Sequence, residues 1–203
     1  MHAAVAGAQA PTHPNLNAQL LVAARQADIP AVQRALQQGA AANSRNRLGK
    51  TALLMAAEKG QEQLARVMLE AGTDPNLASL EGVTPLMAAS YGGHAALVRR
   101  LLAAGASLEP ADRMHKTALL YAVAQGHADA AAALLDRGPD VNAAYEHQLT
   151  ALMWAAGQGH AGVTQLLLAR GARAELRDDR GLTALDMARQ GGHAEVVKLL
   201  QPR

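Results

Sequence analysis

The 203-residue chain is half apolar, only 2% aromatic and free of cysteine, which excludes a disordered chain as well as disulfides, thiolate catalysis and Cys-ligated zinc. Its 19 basic and 17 acidic residues leave a net charge of +2, too balanced to make nucleic acid or an anionic membrane the default partner. With so few rings the interior must be built from Ala, Leu, Val and Met, and such small side chains imply closely packed helices.

The chain opens with MHAAVAGAQAPTHPN, expected to be a leader over residues 1–14. It reads either as a flexible segment or as the remnant of a trimmed export signal: Ala8-Gln9-Ala10 resembles a cleavage site, yet no basic n-region or sustained apolar stretch accompanies it. The compartment therefore stays open between cytoplasm and bacterial periplasm. Arg outnumbers Lys 15 to 4, which hints at a GC-rich bacterial genome. The longest uncharged run, Gln148 to Ala169, has the length of a membrane span but carries three Gln, two Thr, a His and a Gly-Gln-Gly break, so no span is expected.

From there a repeat takes over. Thr51, Thr84, Thr117, Thr150 and Thr183 open the segments TALLMAA, TPLMAAS, TALLYAV, TALMWAA and TALDMAR, each 33 residues after the last, and AQLLVAA from Ala18 keeps the same step. Glycines keep phase too, at Gly60, Gly93, Gly126, Gly159 and Gly192, and again at Gly39, Gly72, Gly105, Gly138 and Gly171. Threonine is a good N-cap, so each segment predicts a short helix stopped by a left-handed glycine. A second helix follows, with apolar stripes such as Leu64, Ala65, Met68, Leu69 and Leu97, Val98, Leu101, Leu102. After the next glycine comes a loop with turn chemistry. A single helix-turn-helix unit cannot bury its narrow stripe alone, so units must stack into an all-α solenoid. One repeat domain is expected over 15–203, with units near 15–46, 47–79, 80–112, 113–145, 146–178 and 179–203. Polar letters at both ends (Gln33, Arg34, Gln37 and Gln38, then Asp186, Arg189 and Lys198) read as caps facing water.

These residues resemble the ankyrin repeat family, whose unit of about 33 residues carries a T-P-L-H-x-A signature. GVTPLMAASYGGHAALVRRLLAAGA at 82–106 and GLTALDMARQGGHAEVVKLL at 181–200 are the nearest copies, and the likeness runs from about Asn15 to Gln201. Where that family has its signature histidine, this chain has Leu54, Met87, Leu120, Met153 and Asp186, which predicts apolar packing in place of hydrogen bonds. The hairpin glycine, kept as Gly49, Gly82 and Gly181, becomes His115 and Gln148, so those two tips are expected to differ in shape. Pro139 stands where the family prefers Ala. The resemblance implies an extended concave surface of hairpin tips and first helices, used without catalysis to bind another protein.

Chemistry-bearing constellations are few. His94, His127, His160 and His193 lie 33 residues apart and hence about 8–10 Å from one another in a stack, too far to share an ion whose ligand atoms stand about 2 Å away. No metal site, cofactor or catalytic residue is expected, since no nucleophile, phosphate-cradling or metalloprotease motif is present. Asp178-Asp179 reads as a solvated pair in a hairpin tip. Arg113, His115, Lys116 and Tyr121 form only a faint nucleic-acid pattern, diluted by Glu109, Asp112 and Glu146.

All four aromatics fall on first helices or tips. Trp154 and Tyr121 share one place in their units, a place held elsewhere by Val22, Met55, Ala88 and Met187. Tyr91 ends a first helix and Tyr145 lies in a tip. Interfaces favour Tyr, Trp, Met and Arg, so Tyr91, Tyr121, Tyr145, Trp154 and Met55 are the candidate partner contacts, with Arg113, Lys116, Glu146 and His147 as a polar rim. The alternatives are packing alone for Trp154 and Tyr121, a small-molecule or carbohydrate site on the aromatic face, or an accessory or inhibitor of a partner enzyme. The chain is expected to act as a monomer.

Overall fold

The computed structural model describes residues 14–201, and among these it contains twelve α-helices and no strand. The helices come in pairs: α1 (Pro14–Gln26) with α2 (Ile29–Gln37), α3 (Ala52–Glu58) with α4 (Glu62–Glu70), α5 (Pro85–Tyr91) with α6 (Ala95–Ala103), α7 (Ala118–Ala124) with α8 (Ala128–Leu135), α9 (Ala151–Gly157) with α10 (Ala161–Ala169), and α11 (Ala184–Gln190) with α12 (Ala194–Leu200). The expected leader falls outside the described residues except for Pro14, where α1 opens.

Five of the six first helices, α3, α5, α7, α9 and α11, start because a threonine holds the N-terminus. The hydroxyls of Thr51, Thr84, Thr117, Thr150 and Thr183 accept the N–H groups of Leu54, Met87, Leu120, Met153 and Asp186 at 3.1–3.3 Å. The helix then ends on a backbone bond that requires a left-handed residue, as where His160 N–H reaches Ala155 C=O across Gly159, φ +77°.

First helices pack side by side in one row and second helices in another, each touching the same element of the next pair. Leu53, Leu54, Leu86, Met87, Leu152 and Met153 fill the first row and Leu64, Met68, Leu97, Leu101 and Leu134 the second, all sealed from solvent. Leu54, Met87, Leu120 and Met153 are at most 2% exposed, as the apolar replacement of the signature histidine predicts. Asp186 differs: its carboxylate accepts both the N–H and the hydroxyl of Thr183 and caps its own helix. At the ends, Gln33, Arg34, Gln37, Gln38, Arg189 and Lys198 face water.

Two polar devices tie neighbouring pairs together. The Nε2 of His127, His160 and His193 meets the carbonyls of Tyr91, Ala124 and Gly157 at 2.9–3.0 Å; a carbonyl only accepts, so the ring donates. Each ring lies over a glycine of the preceding pair, so a Cβ on Gly126 would stand 2.8 Å from His160 Nδ1. On the loop side, Asn43, Asn76 and Asn142 accept the N–H groups of Asp74, Ser107 and Arg173 at 2.8–3.0 Å. No helix among the described residues is long and apolar enough to cross a membrane.

Candidate functional site

Between the pairs the chain turns through hairpin tips that form a third layer beside the first helices. In four of the five tips a short polar side chain folds the turn by accepting two of its N–H groups: Asn46 from Leu48 and Lys50, Ser79 from Glu81 and Val83, Asp112 from Met114 and Lys116, and Asp178 from Arg180 and Leu182. Asp178, read from the sequence as solvated, is therefore buried in its own turn at 6% exposure. The positive φ of the third tip survives the loss of glycine. His115 takes φ +55°, and its N–H reaches Asp112 C=O at 3.0 Å just as Gly49 reaches Asn46, so this tip keeps the common shape instead of departing from it.

The fourth tip does depart. Tyr145 stands in phase with Asn46, Ser79, Asp112 and Asp178 but has no short acceptor to fold the turn. The chain instead makes a 3₁₀ turn over Glu146–Gln148, with His147 at φ +57° and Gln148 at φ +58°. Tips otherwise join edge to edge: Leu80 N–H donates to Leu48 C=O, Arg113 to Glu81 and Asp179 to His147, at 3.0–3.2 Å. Between Met114 and Glu146 the corresponding bond is absent.

A groove of about 390 Å³ opens at that gap, lined by Arg113, His115, Lys116, Tyr145, Glu146 and Trp154 among others. The Lys116 ammonium lies 5.9 Å from both the Tyr121 and the Trp154 ring centroids, a cation held over two faces. Tyr91 meets Tyr121 edge-on, centroids 5.7 Å apart at 86°. The Tyr121 hydroxyl donates to Asp112 Oδ2; burial pushes its pKa well above the ordinary value, and the Asp112 hydrogen bond and charge push it further. Burial also raises Tyr145, whose hydroxyl lies 3.4 Å from Thr117 Oγ1. A second, apolar groove of about 350 Å³ borders Tyr91 and Tyr121 on the other side, floored by Val83, Met87 and Ala88.

Most of the candidate contacts thus converge. Tyr121, Trp154 and Lys116 form one half-buried cluster with Tyr91 at its edge; Tyr145 and the exposed Arg113 and Glu146 line the groove, whereas His147 lies apart from it, beside Asp178, Asp179 and Arg180. Arg113 pairs with Glu81, His115 with Glu146 and His147 with Asp179, all across neighbouring tips. Met55 does not belong with them: it is only 8% exposed, because its flexible thioether folds down toward Asn46, Sδ to Nδ2 4.0 Å. Sequence reasoning missed Leu48, Leu80 and Met114, which project from three successive tips at 56–60% exposure. Apolar letters between turn residues were the available signal. Among the described residues no three His, Cys, Asp or Glu side chains gather closely enough to hold a metal.

The 33-residue period, the paired helices and the hairpin tips meet their counterpart in two family models. One, described as ankyrin repeats in three copies, matches residues 20–112 and 69–145; the other, ankyrin repeats in many copies, matches 134–188. The chain belongs to the ankyrin repeat family. Ankyrin repeats generally serve as modules for protein–protein interaction. Comparison with curated proteins gives no match for this ankyrin chain.

Proposed function

We propose that this ankyrin chain is a non-catalytic docking module whose hairpin tips and first-helix face hold a protein partner with an apolar, acidic contact surface. One observation carries the reading. Of the six large apolar side chains that stand exposed among the described residues, five (Val22, Leu48, Leu80, Tyr91 and Met114) lie on first helices or tips, and only Leu199 lies on a second helix. Single exposed apolar groups need no explanation, but alignment along one side favours an interface. Tyr121, Trp154 and Tyr145 then supply larger anchors beside that row.

Charge supports the acidic partner. Of the tip cations Arg113 already faces a carboxylate, Glu81, whereas Arg47 and Lys116 have none within 4 Å among the described residues. The cation left over at the groove therefore favours an opposite charge, which selects partners more than it strengthens binding. A small-molecule reading draws on the groove beside Tyr91, whose volume of about 350 Å³ would suit one, but Glu58 is its only charged lining group.

The test is affinity capture from the native source with mass spectrometry, comparing wild type with the double variant Leu80→Ser/Met114→Ser. A protein retained by the wild type and lost by the variant, with thermal unfolding of the two superimposable, is the expected result. Equal recovery by both would remove the tips from the interface, and a metabolite library that raises the melting temperature with no protein captured would favour the small-molecule reading.

A further inference from the structure

Lys116 carries a charge that its own protein leaves unanswered. Its ammonium lies 5.9 Å from the ring centroids of Tyr121 and Trp154, with no carboxylate within 4 Å among the described residues. The acids around it are engaged elsewhere. Asp112 is buried, and its two oxygens take the N–H groups of Met114 and Lys116 and the hydroxyl of Tyr121. Glu146 faces His115 at 4.0 Å. The groove of about 390 Å³ thus sets three basic side chains, Arg113, His115 and Lys116, against one acid.

The same groove carries an unmet backbone pair. At three other tip junctions an N–H meets a C=O, Leu80 on Leu48, Arg113 on Glu81 and Asp179 on His147. Between the third and fourth tips, Glu146 N–H and Met114 C=O have no hydrogen-bond partner among the described residues. An extended chain laid along such a gap offers an acceptor to the one and a donor to the other.

Beyond Tyr121 the groove of about 350 Å³ has the opposite character. Val83, Met87, Ala88 and Tyr91 line it with Tyr121, and its single acid, Glu58, is held by Lys50 at 2.6 Å. It suits an uncharged, apolar side chain. Tyr121 joins the two grooves: its ring centroid lies 5.7 Å from that of Tyr91 and 5.9 Å from Lys116 Nζ. Those two steps end to end are spanned by about three or four residues of extended chain, at about 3.3 Å each.

We infer that the two grooves together recognise one extended segment of the partner, which seats a large apolar side chain beside Tyr91 and, three or four positions away, an aspartate or glutamate on Lys116. This rests on the docking reading above and names the chemistry that the docking selects. Glu146 N–H and Met114 C=O hold the segment's backbone where it passes the tips. A lysine in place of the acid meets Arg113 and Lys116 and is rejected.

Selection of a phage-displayed random-peptide library on the full chain tests this without the native partner. Enriched peptides should carry a large apolar residue three or four positions from an Asp or Glu, and a synthetic copy should change the fluorescence of Trp154, the only tryptophan, which lines the groove. Replacing the peptide's acid by its amide should weaken binding to the wild-type protein about tenfold or more. Lys116→Gln should weaken the acidic peptide by the same factor and leave the amide peptide unaffected, whereas Tyr91→Ala should weaken both peptides alike. Enrichment without that pattern, equal binding of acid and amide, or a further loss of the amide peptide on Lys116→Gln would each overturn the inference. A native partner captured through the tips with no such peptide enriched would leave the docking reading standing and remove the paired grooves from it.

Discussion

The hydroxyl of Tyr121 donates to one carboxylate oxygen of Asp112 while the other oxygen of that carboxylate folds the hairpin tip in front of it. One acid thereby couples a first helix to the turn that precedes it. The neutral phenol is the form that this arrangement favours, and the folded-state pKa lies above the ordinary value of about 10. The sign follows: the contribution is complete below pH 10 and disappears as the pH rises through the folded-state value. Stability measured by denaturant melts should be flat through neutral pH and fall in strong alkali, and phenolate absorbance from Tyr121 and Tyr145 should appear together with loss of helix. Full ionisation of all three tyrosines near pH 10 with the helices intact would contradict it.

The histidine staples should be energetic and indifferent to metal. His160→Ala removes a donor to Ala124 C=O and the ring that covers Gly126, and should cost about 1–3 kcal/mol in equilibrium unfolding. Gly126→Ala, at φ +76° and with its new methyl against the same ring, should cost at least as much. A chelator should leave both melting curves where they are; a shift would reopen the metal reading.

Thr164→Val should stabilise the chain. The threonine hydroxyl is buried without a partner, and the phase-related positions in α6 and α12 hold Val98 and Val197. Replacing the hydroxyl with a methyl of nearly the same shape removes an unmet desolvation cost of about 1 kcal/mol, seen as a higher denaturant midpoint.

Aromatic substitutions should separate packing from contact. Tyr91 is 54% exposed, so Tyr91→Ala should change unfolding free energy by less than about 0.5 kcal/mol and serve as a clean probe of binding. Trp154 is half-buried against the core, its indole N–H enclosed without an acceptor, and Trp154→Ala should cost about 2–4 kcal/mol. A Trp154 variant as stable as wild type would place the ring on the surface.

The stack itself was legible because its determinants are local and repeat: the threonine caps, the left-handed glycines and the leucine stripes need no knowledge of distant residues. Two further series ran in the same phase, Asn43, Asn76 and Asn142 in the loops and Asn46, Ser79, Asp112 and Asp178 in the tips, broken at Glu109 and at Tyr145 respectively. Side-chain exposure was harder to read. Met55 and Trp154 occupy equivalent positions, yet the flexible thioether lies down and the rigid indole stands half out, a difference of shape rather than of hydropathy. The shape of the third tip was misjudged because the bonds that Asp112 makes outweigh the cost of a left-handed histidine, an energy balance that no single letter carries.

Where an Asn, Ser or Asp closes a tip, it does so with bonds to backbone N–H groups two and four places onward, within the tip itself. The two letters directly after the acceptor, Leu80-Glu81 or Arg113-Met114 for example, are free to vary, while the left-handed position that follows them stays fixed. Recognition in this chain is consequently written in short cassettes that mutation can exchange one at a time, while the frame that displays them stays put.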